Sequence, residues 1–215
     1  MTGAHARRES PRGCTGLGSP ISLHCWPALG CLNMPYVLPA DAFSAPTYIV
    51  LDLPQPACAE VLALRQRFDL YQASLPPEIT VAGSSGVGTV AQGQDPVHVF
   101  RAIEAVARRN LPFACSFESM RRFPGVPVFW LSPRDRAPFD ALHRALLDSD
   151  IKFDASPFPF NPHCTISSTI DLSKHQETEL LAAPVPQMEF LLAELRVYQV
   201  AARQAHLLQS FALGG

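Results

Sequence analysis

From Thr47 to Leu213 the spacing of apolar residues changes repeatedly between a strand period and a helix period, and each change marks an element. Thr47 to Leu53 is rich in β-branched and aromatic residues and is stopped by Pro54, which predicts a strand. Val61, Leu64, Phe68 and Tyr71 recur at helical spacing and predict an amphipathic helix ending before Pro76-Pro77. A short strand carrying Glu78 and Thr80 follows, then a glycine-rich loop through Gly83, Gly86 and Gly88 that is expected to be flexible. Val99, Phe100, Ile103, Val106 and Ala107 predict a second helix. After Pro112, Phe113 to Phe117 and Val126 to Leu131 read as strands joined by an arm or hairpin, Glu118 to Gly125, with the adjacent cations Arg121 and Arg122. Phe139, Leu142 and Leu146 mark a third helix, His163 to Ile166 a strand, and Leu172 to Leu181 a fourth helical segment. Phe190 to Val200 and His206 to Leu213 close the chain as a hairpin. Strands alternating with helices, twice over, predict an α/β or α+β sandwich of two related lobes.

The first 33 residues follow no such pattern. They hold Arg7, Arg8 and Arg12 with many Gly, Ser and Pro residues, and no apolar segment of signal-peptide type follows the arginines. A disordered leader, or an over-extended start with Met34 as the initiator, is the expectation, with residues 34–215 as a single domain. No apolar run approaches the roughly 18–20 residues needed to cross a bilayer. Six cysteines form no Cys-x-x-Cys pair and no regular His/Cys spacing, so neither a metal site nor a disulfide framework is expected, and reduced thiols in the cytoplasm fit. A net charge of −2 argues against broad coating of nucleic acid and leaves room for a small nucleotide or an RNA end.

The chemistry concentrates in Pro162-His163-Cys164-Thr165-Ile166. Residues i and i+2 of a strand share a face, so His163 and Thr165 look into one cleft while Cys164 and Ile166 pack behind them. An imidazole that titrates near neutral pH and a neutral hydroxyl donor suit a phosphate. Pro76-Pro77-Glu78-Ile79-Thr80-Val81 repeats the same grammar with a carboxylate where the first has its histidine. The same pattern also fits a core histidine on a buried strand.

Two such half-sites resemble the two-histidine phosphoesterase superfamily of 2'-5' RNA ligase and RNA 2',3'-cyclic phosphodiesterase-like proteins, which carries one His-x-Thr-x motif in each of two lobes. The second motif fits residue for residue, and in the first Glu78 stands in the place of the histidine. The resemblance runs from about Tyr48 to Leu213 in the order of elements. It implies an α+β fold of two pseudo-symmetric lobes, each an antiparallel sheet with helices packed outside, enclosing a central groove. It further implies catalysis by His163, Thr165, Thr80 and Glu78 on a cyclic or 2'-5' phosphodiester of a nucleotide or RNA end; no cofactor and no metal are expected, and with no dimer motif in the sequence a monomer is expected.

Opening a cyclic phosphate needs one group to take a proton from water and another to give one to the departing ribose oxygen. Glutamate at an unperturbed pKa of about 4.3 is expected to be ionised at pH 7, to act as base and to hold His163 protonated. A carboxylate facing a phosphate also repels it, so the substitution points to impaired or redirected catalysis. Arg121, Arg122 and Arg196 are candidates for substrate binding, and Tyr198 and Phe123 for stacking on a base. Among the remaining histidines only His206 is expected near the cleft. A noncatalytic nucleotide or RNA-end binder of the same fold and an α+β interaction domain with a vestigial cleft remain open beside the enzyme.

Overall fold

The computed structural model describes residues 41–215, and the expectations for the first 33 residues lie outside them. Nine strands and five helices follow one another in this part of the chain. Strands β1 (Thr47–Asp52) and β2 (Glu78–Ala82) join β8 (Glu194–Ala201) and β9 (Gln204–Ala212) in an antiparallel sheet of order β2-β1-β8-β9. Strands β4 (Phe117–Arg122), β5 (Phe129–Pro133) and β6 (Cys164–Ser167) make a second antiparallel sheet of order β4-β5-β6. Each sheet carries one half-site on an edge strand, β2 or β6.

Helices α1 (Ala57–Phe68), α3 (Pro96–Arg109), α4 (Ala137–Leu147) and α5 (Lys174–Leu181) cover the sheets, and the expected fold class of antiparallel sheets with packed helices is observed. The helices cross between sheets. α1, which follows β1, packs on β6, and α4, which follows β5, packs on β2. One core runs through both sheets, with Ile49, Leu51, Ile79, Phe100, Phe117, Phe129, Leu131, Phe139 and Ile166 all buried.

The structure corrects three of the expected elements. The first helix breaks at Asp69, whose backbone is extended, and resumes as the short α2 (Leu70–Ala73). The break leaves the Asp69 carboxylate free to accept from Gln72 N–H at 3.0 Å as an N-cap and from Ser168 N–H at 2.9 Å, beyond the end of β6. The segment from Glu118 is the hairpin of the two alternatives, with its strand longer than expected, because β4 continues to Arg122 and pairs with Phe129 at that end. Phe190–Leu192 separates from the final hairpin as β7 and pairs with β3 (Phe113–Cys115).

The loop after β2 is stitched in place rather than free. Gly86 N–H donates to Phe158 O at 2.9 Å, Asp154 N–H to Thr89 O at 2.8 Å and Ser156 Oγ to Ser84 O at 2.8 Å. Gly88 has φ +94°, and a Cβ there would lie 1.6 Å from the Asp154 carbonyl oxygen. Gly88→Ala therefore meets both an unfavourable backbone conformation and an obstacle that is itself backbone. A loss of at least about 2 kcal/mol in urea unfolding is expected. A loss under about 0.5 kcal/mol would show that this pair of segments adjusts freely.

Candidate active site

Edge strands β2 and β6 lie side by side without a hydrogen-bond ladder between them, and a buried arginine joins them. Arg65 on α1 is 1% exposed. Its Nε and Nη2 donate to the Thr165 carbonyl at 2.9 and 2.7 Å, and its Nη1 donates to Gln72, Leu75 and Pro76 carbonyls at 3.0, 3.0 and 3.2 Å. The planar fork of a guanidinium suits this task because it spreads five N–H donors over carbonyls from two separate segments. Cys164 lies between the two strands, bonded by the Glu78 backbone and 3.9 Å from Arg65 Nη2. Burial pushes its thiol up to about 12, so it is a packing group and no thiolate nucleophile at neutral pH.

Alternation along each strand then decides what faces the gap. Ile79 and Val81 are buried while Glu78 and Thr80 turn outward, and Cys164 and Ile166 are buried while Thr165 turns outward. His163 stands one residue ahead of β6. These four side chains line a single cleft of about 230 Å³ with Tyr48, Tyr71, Gln72, Ser84 and Tyr198. A core histidine facing away from such a cleft is therefore not what the fold contains. Thr80 Oγ1 donates to the Glu78 carboxylate at 2.9 and 3.1 Å, and among the described residues Thr165 Oγ1 makes no hydrogen bond.

Protonation differs from the expectation for both acid-base groups. Burial pushes Glu78 up to about 7, against the lowering pull of the Thr80 hydroxyl and the Arg65 charge. Burial also holds His163 below its usual value, with only partial opposition from the Asn161 carbonyl. A carbonyl only accepts, so the 2.6 Å contact requires the proton on His163 Nδ1 and leaves Nε2 as the basic nitrogen. At pH 7 the pair is thus a neutral imidazole and a carboxyl group about half protonated. Phe123 and Trp130 pack edge-on to the buried imidazole, at 5.2 and 5.6 Å between ring centroids.

Raising a carboxyl pKa from 4.5 to about 7 has a stability consequence of definite sign. Between those values the native state holds a proton that the unfolded chain has released, so stability falls as pH rises through the window. The contribution is complete below the lower value and lost above the upper one. Glu78→Gln removes the titration and keeps an acceptor for Thr80. The variant is expected to exceed wild type by about 2–3 kcal/mol at pH 8 after allowance for solvent at the cleft mouth, with the gap closing toward pH 5. Unfolding midpoints at the two pH values check this, and a gap independent of pH would contradict it.

The remaining candidates are placed as follows. Tyr198 lines the cleft, and its hydroxyl donates to Asp52 Oδ2 at 2.8 Å. Arg196 lies beside it, paired with Asp52 at 2.7 Å and Glu194 at 2.8 Å, and is not in the cleft lining. Arg122 is also outside, held near Glu177 and over the Phe129 ring. Arg121 pairs with Glu118 at 2.7 Å and lines a different cleft. Phe123 stacks on Trp130 rather than opening toward the cleft. His206 is exposed and outside the lining. Among the described residues no three His, Cys, Asp or Glu side chains gather as a metal site would require.

Arg65 is a residue of the site that the sequence analysis does not single out. Its signal was present: it sits four residues after Val61 and three before Phe68, on the buried face of a helix, where an unpaired cation is out of place. In the sequence Tyr48 and Tyr71 carry only the signals of the first strand and the first helix.

Comparison with known proteins gives the family and the fold. The model of the 2'-5' RNA ligase superfamily matches residues 53–204, which include both half-sites. Among solved structures, TT0787 of Thermus thermophilus superposes with a TM-score of 0.54 at 14% identity, covering 79% of this chain and 98% of that one. E. coli LigT, in its complex with 3'-AMP, superposes with a TM-score of 0.52 at 18% identity and the same coverage. At such identities these two structures speak for the fold alone. A search of curated proteins finds no match. With the model reaching from the end of β1 to the final hairpin, through Glu78-Ile79-Thr80 and His163-Cys164-Thr165, the chain belongs to the 2'-5' RNA ligase superfamily.

Proposed function

We propose that this protein opens 2',3'-cyclic or 2'-5' phosphodiesters of nucleotide or RNA ends, with His163 as base and Glu78 as acid. The observation that carries the reading is the meeting of Glu78, Thr80, His163 and Thr165 in one cleft from strands of two different sheets. The phosphoryl oxygens sit between the two threonine hydroxyls, which stabilise charge as the phosphorus becomes five-coordinate. Neutral His163 takes the proton of the attacking water through Nε2. Protonated Glu78 gives its proton to the ribose oxygen as the P–O bond breaks. This division of labour inverts the one expected from unperturbed glutamate, and burial is the cause.

Thr80 couples the two steps. While Glu78 is ionised the Thr80 hydroxyl points at it, and the carboxylate repels a phosphate. Protonation of Glu78 removes the charge and frees the Thr80 proton for the substrate. The same contact supports a second reading, a nucleotide binder with little turnover, because at alkaline pH one of the two anchoring hydroxyls is already engaged.

Hydrolysis of 2',3'-cyclic AMP across pH 5 to 9 separates the readings. Activity that declines above about pH 7 as Glu78 ionises is expected, and Glu78→His is expected to move that decline to lower pH, because the burial that raises a carboxyl lowers an imidazole. A rate that continues to climb through pH 8 would contradict Glu78 as acid, and binding of 3'-AMP without turnover would favour the binder.

A further inference from the structure

A second cleft, about 210 Å³, is lined by Glu118, Arg121, Trp130, Arg134, Arg136 and by Asn161 and Pro162, which lead into His163, among others. Three guanidinium groups face one carboxylate in its lining, in a chain whose net charge is −2. Such a local excess of positive charge on an overall acidic chain marks a place for an anion. Arg134 is exposed and makes no side-chain hydrogen bond or ion pair among the described residues. Arg121 and Arg136 are held by Glu118 and Asp140, the latter at 2.8 Å through both Nε and Nη2, so their forks are already oriented.

Register ties this cleft to the first one. Arg121 is the cross-strand partner of Trp130, and Trp130 is the cross-strand partner of Thr165. Cross-strand partners share a face, so Arg121, Trp130 and Thr165 form a row across β4, β5 and β6, about 10 Å from end to end by strand spacing. Trp130 is 7% exposed and its indole N–H is buried without a partner. A buried indole donor usually finds an acceptor, and this one lines the second cleft with its ring packed against His163 of the first.

Resting on the phosphodiester reading of the first cleft, we propose that the second cleft binds the phosphate backbone of an RNA strand whose terminal phosphodiester occupies the first. The substrate is then an oligonucleotide end in preference to a free mononucleotide. Arg134 and Arg136 supply the charge, Arg121 stands at the junction, and the paired carboxylates of Glu118 and Asp140 yield when a phosphate arrives.

Binding of a 3'-phosphorylated RNA hexanucleotide and of 3'-AMP, followed by fluorescence anisotropy competition over a salt series, tests this on the full chain. Wild type is expected to bind the hexanucleotide at least about tenfold more tightly at low salt. Arg134→Gln/Arg136→Gln is expected to lose about that factor for the hexanucleotide, to keep 3'-AMP within about twofold, and to flatten the salt slope by about 1.4 for two lost contacts. Arg134→Gln alone, at an exposed position, serves as the variant with least risk to folding and is expected to lose about half the logarithmic effect. Equal affinity for the two ligands in wild type, or equal losses for both in the variants, would overturn the proposal while leaving the first cleft intact. Arginine-dependent hexanucleotide binding with no binding of 3'-AMP would instead remove the reading of the first cleft and keep the second. Failure of both ligands to bind would remove both.

Discussion

Arg65→Met is expected to destabilise the protein by about 3–5 kcal/mol and to abolish phosphodiester turnover even where the fold survives. The methionine fills much of the volume but donates nothing, so carbonyls of Gln72, Leu75, Pro76 and Thr165 lose the partner that α1 provides. Each buried carbonyl left without a donor carries a desolvation cost, and against a total stability of about 5–15 kcal/mol the sum is large. Arg65→Lys keeps the charge but not the fork, and is expected to recover less than half of the loss. The effect on the site has a separate cause. Arg65 is the connection between the segment leading into β2 and the backbone of β6, so its removal loosens the spacing of Thr80 and Thr165. Loss of its charge also removes one of the influences that lowers the Glu78 pKa. Urea unfolding with an unchanged slope gives the stability difference, and a value below about 1 kcal/mol would show that the two half-sites are held together by something else.

His163→Gln is expected to reduce turnover of 2',3'-cyclic AMP by about 10²-fold to 10⁴-fold while leaving 3'-AMP binding within severalfold. Glutamine retains hydrogen-bonding capacity toward Asn161 O and occupies space beside Phe123 and Trp130, but it cannot accept a proton from water near neutral pH. The lowered imidazole pKa means that the neutral form predominates at pH 7, so on the proposed mechanism the wild-type rate is expected to fall on the acid side as His163 protonates. That acid limb is expected to vanish in the variant. A variant rate within about threefold of wild type would take His163 out of the chemistry and reduce it to a packing residue between two aromatic rings.

How much of this was legible in the sequence depended on whether the deciding interaction was local. Strand β1, the Glu78 strand and helices α3 and α4 follow from apolar periodicity, and the inward and outward sense of Thr80, Thr165 and Cys164 follows from strict alternation. The break at Asp69 was not legible, because its carboxylate serves Ser168, a residue distant in the chain. The pairing of β3 with β7 hides for the same reason, since nothing near Phe113 announces Phe190. Ionisation was legible only by type: an isolated glutamate is a base at pH 7, and the burial that raises Glu78 exists only once the two sheets meet. Arg65 left a trace, a cation on an apolar helix face, and would be found by asking what neutral acceptors such a group serves.

Crystals of the protein grown with inorganic phosphate test the central claim most directly. One anion is expected at hydrogen-bonding distance, about 2.7–3.2 Å, from both Thr80 Oγ1 and Thr165 Oγ1, with His163 Nε2 turned toward it. An anion bound elsewhere while the two threonines remain without one at saturating phosphate would contradict it.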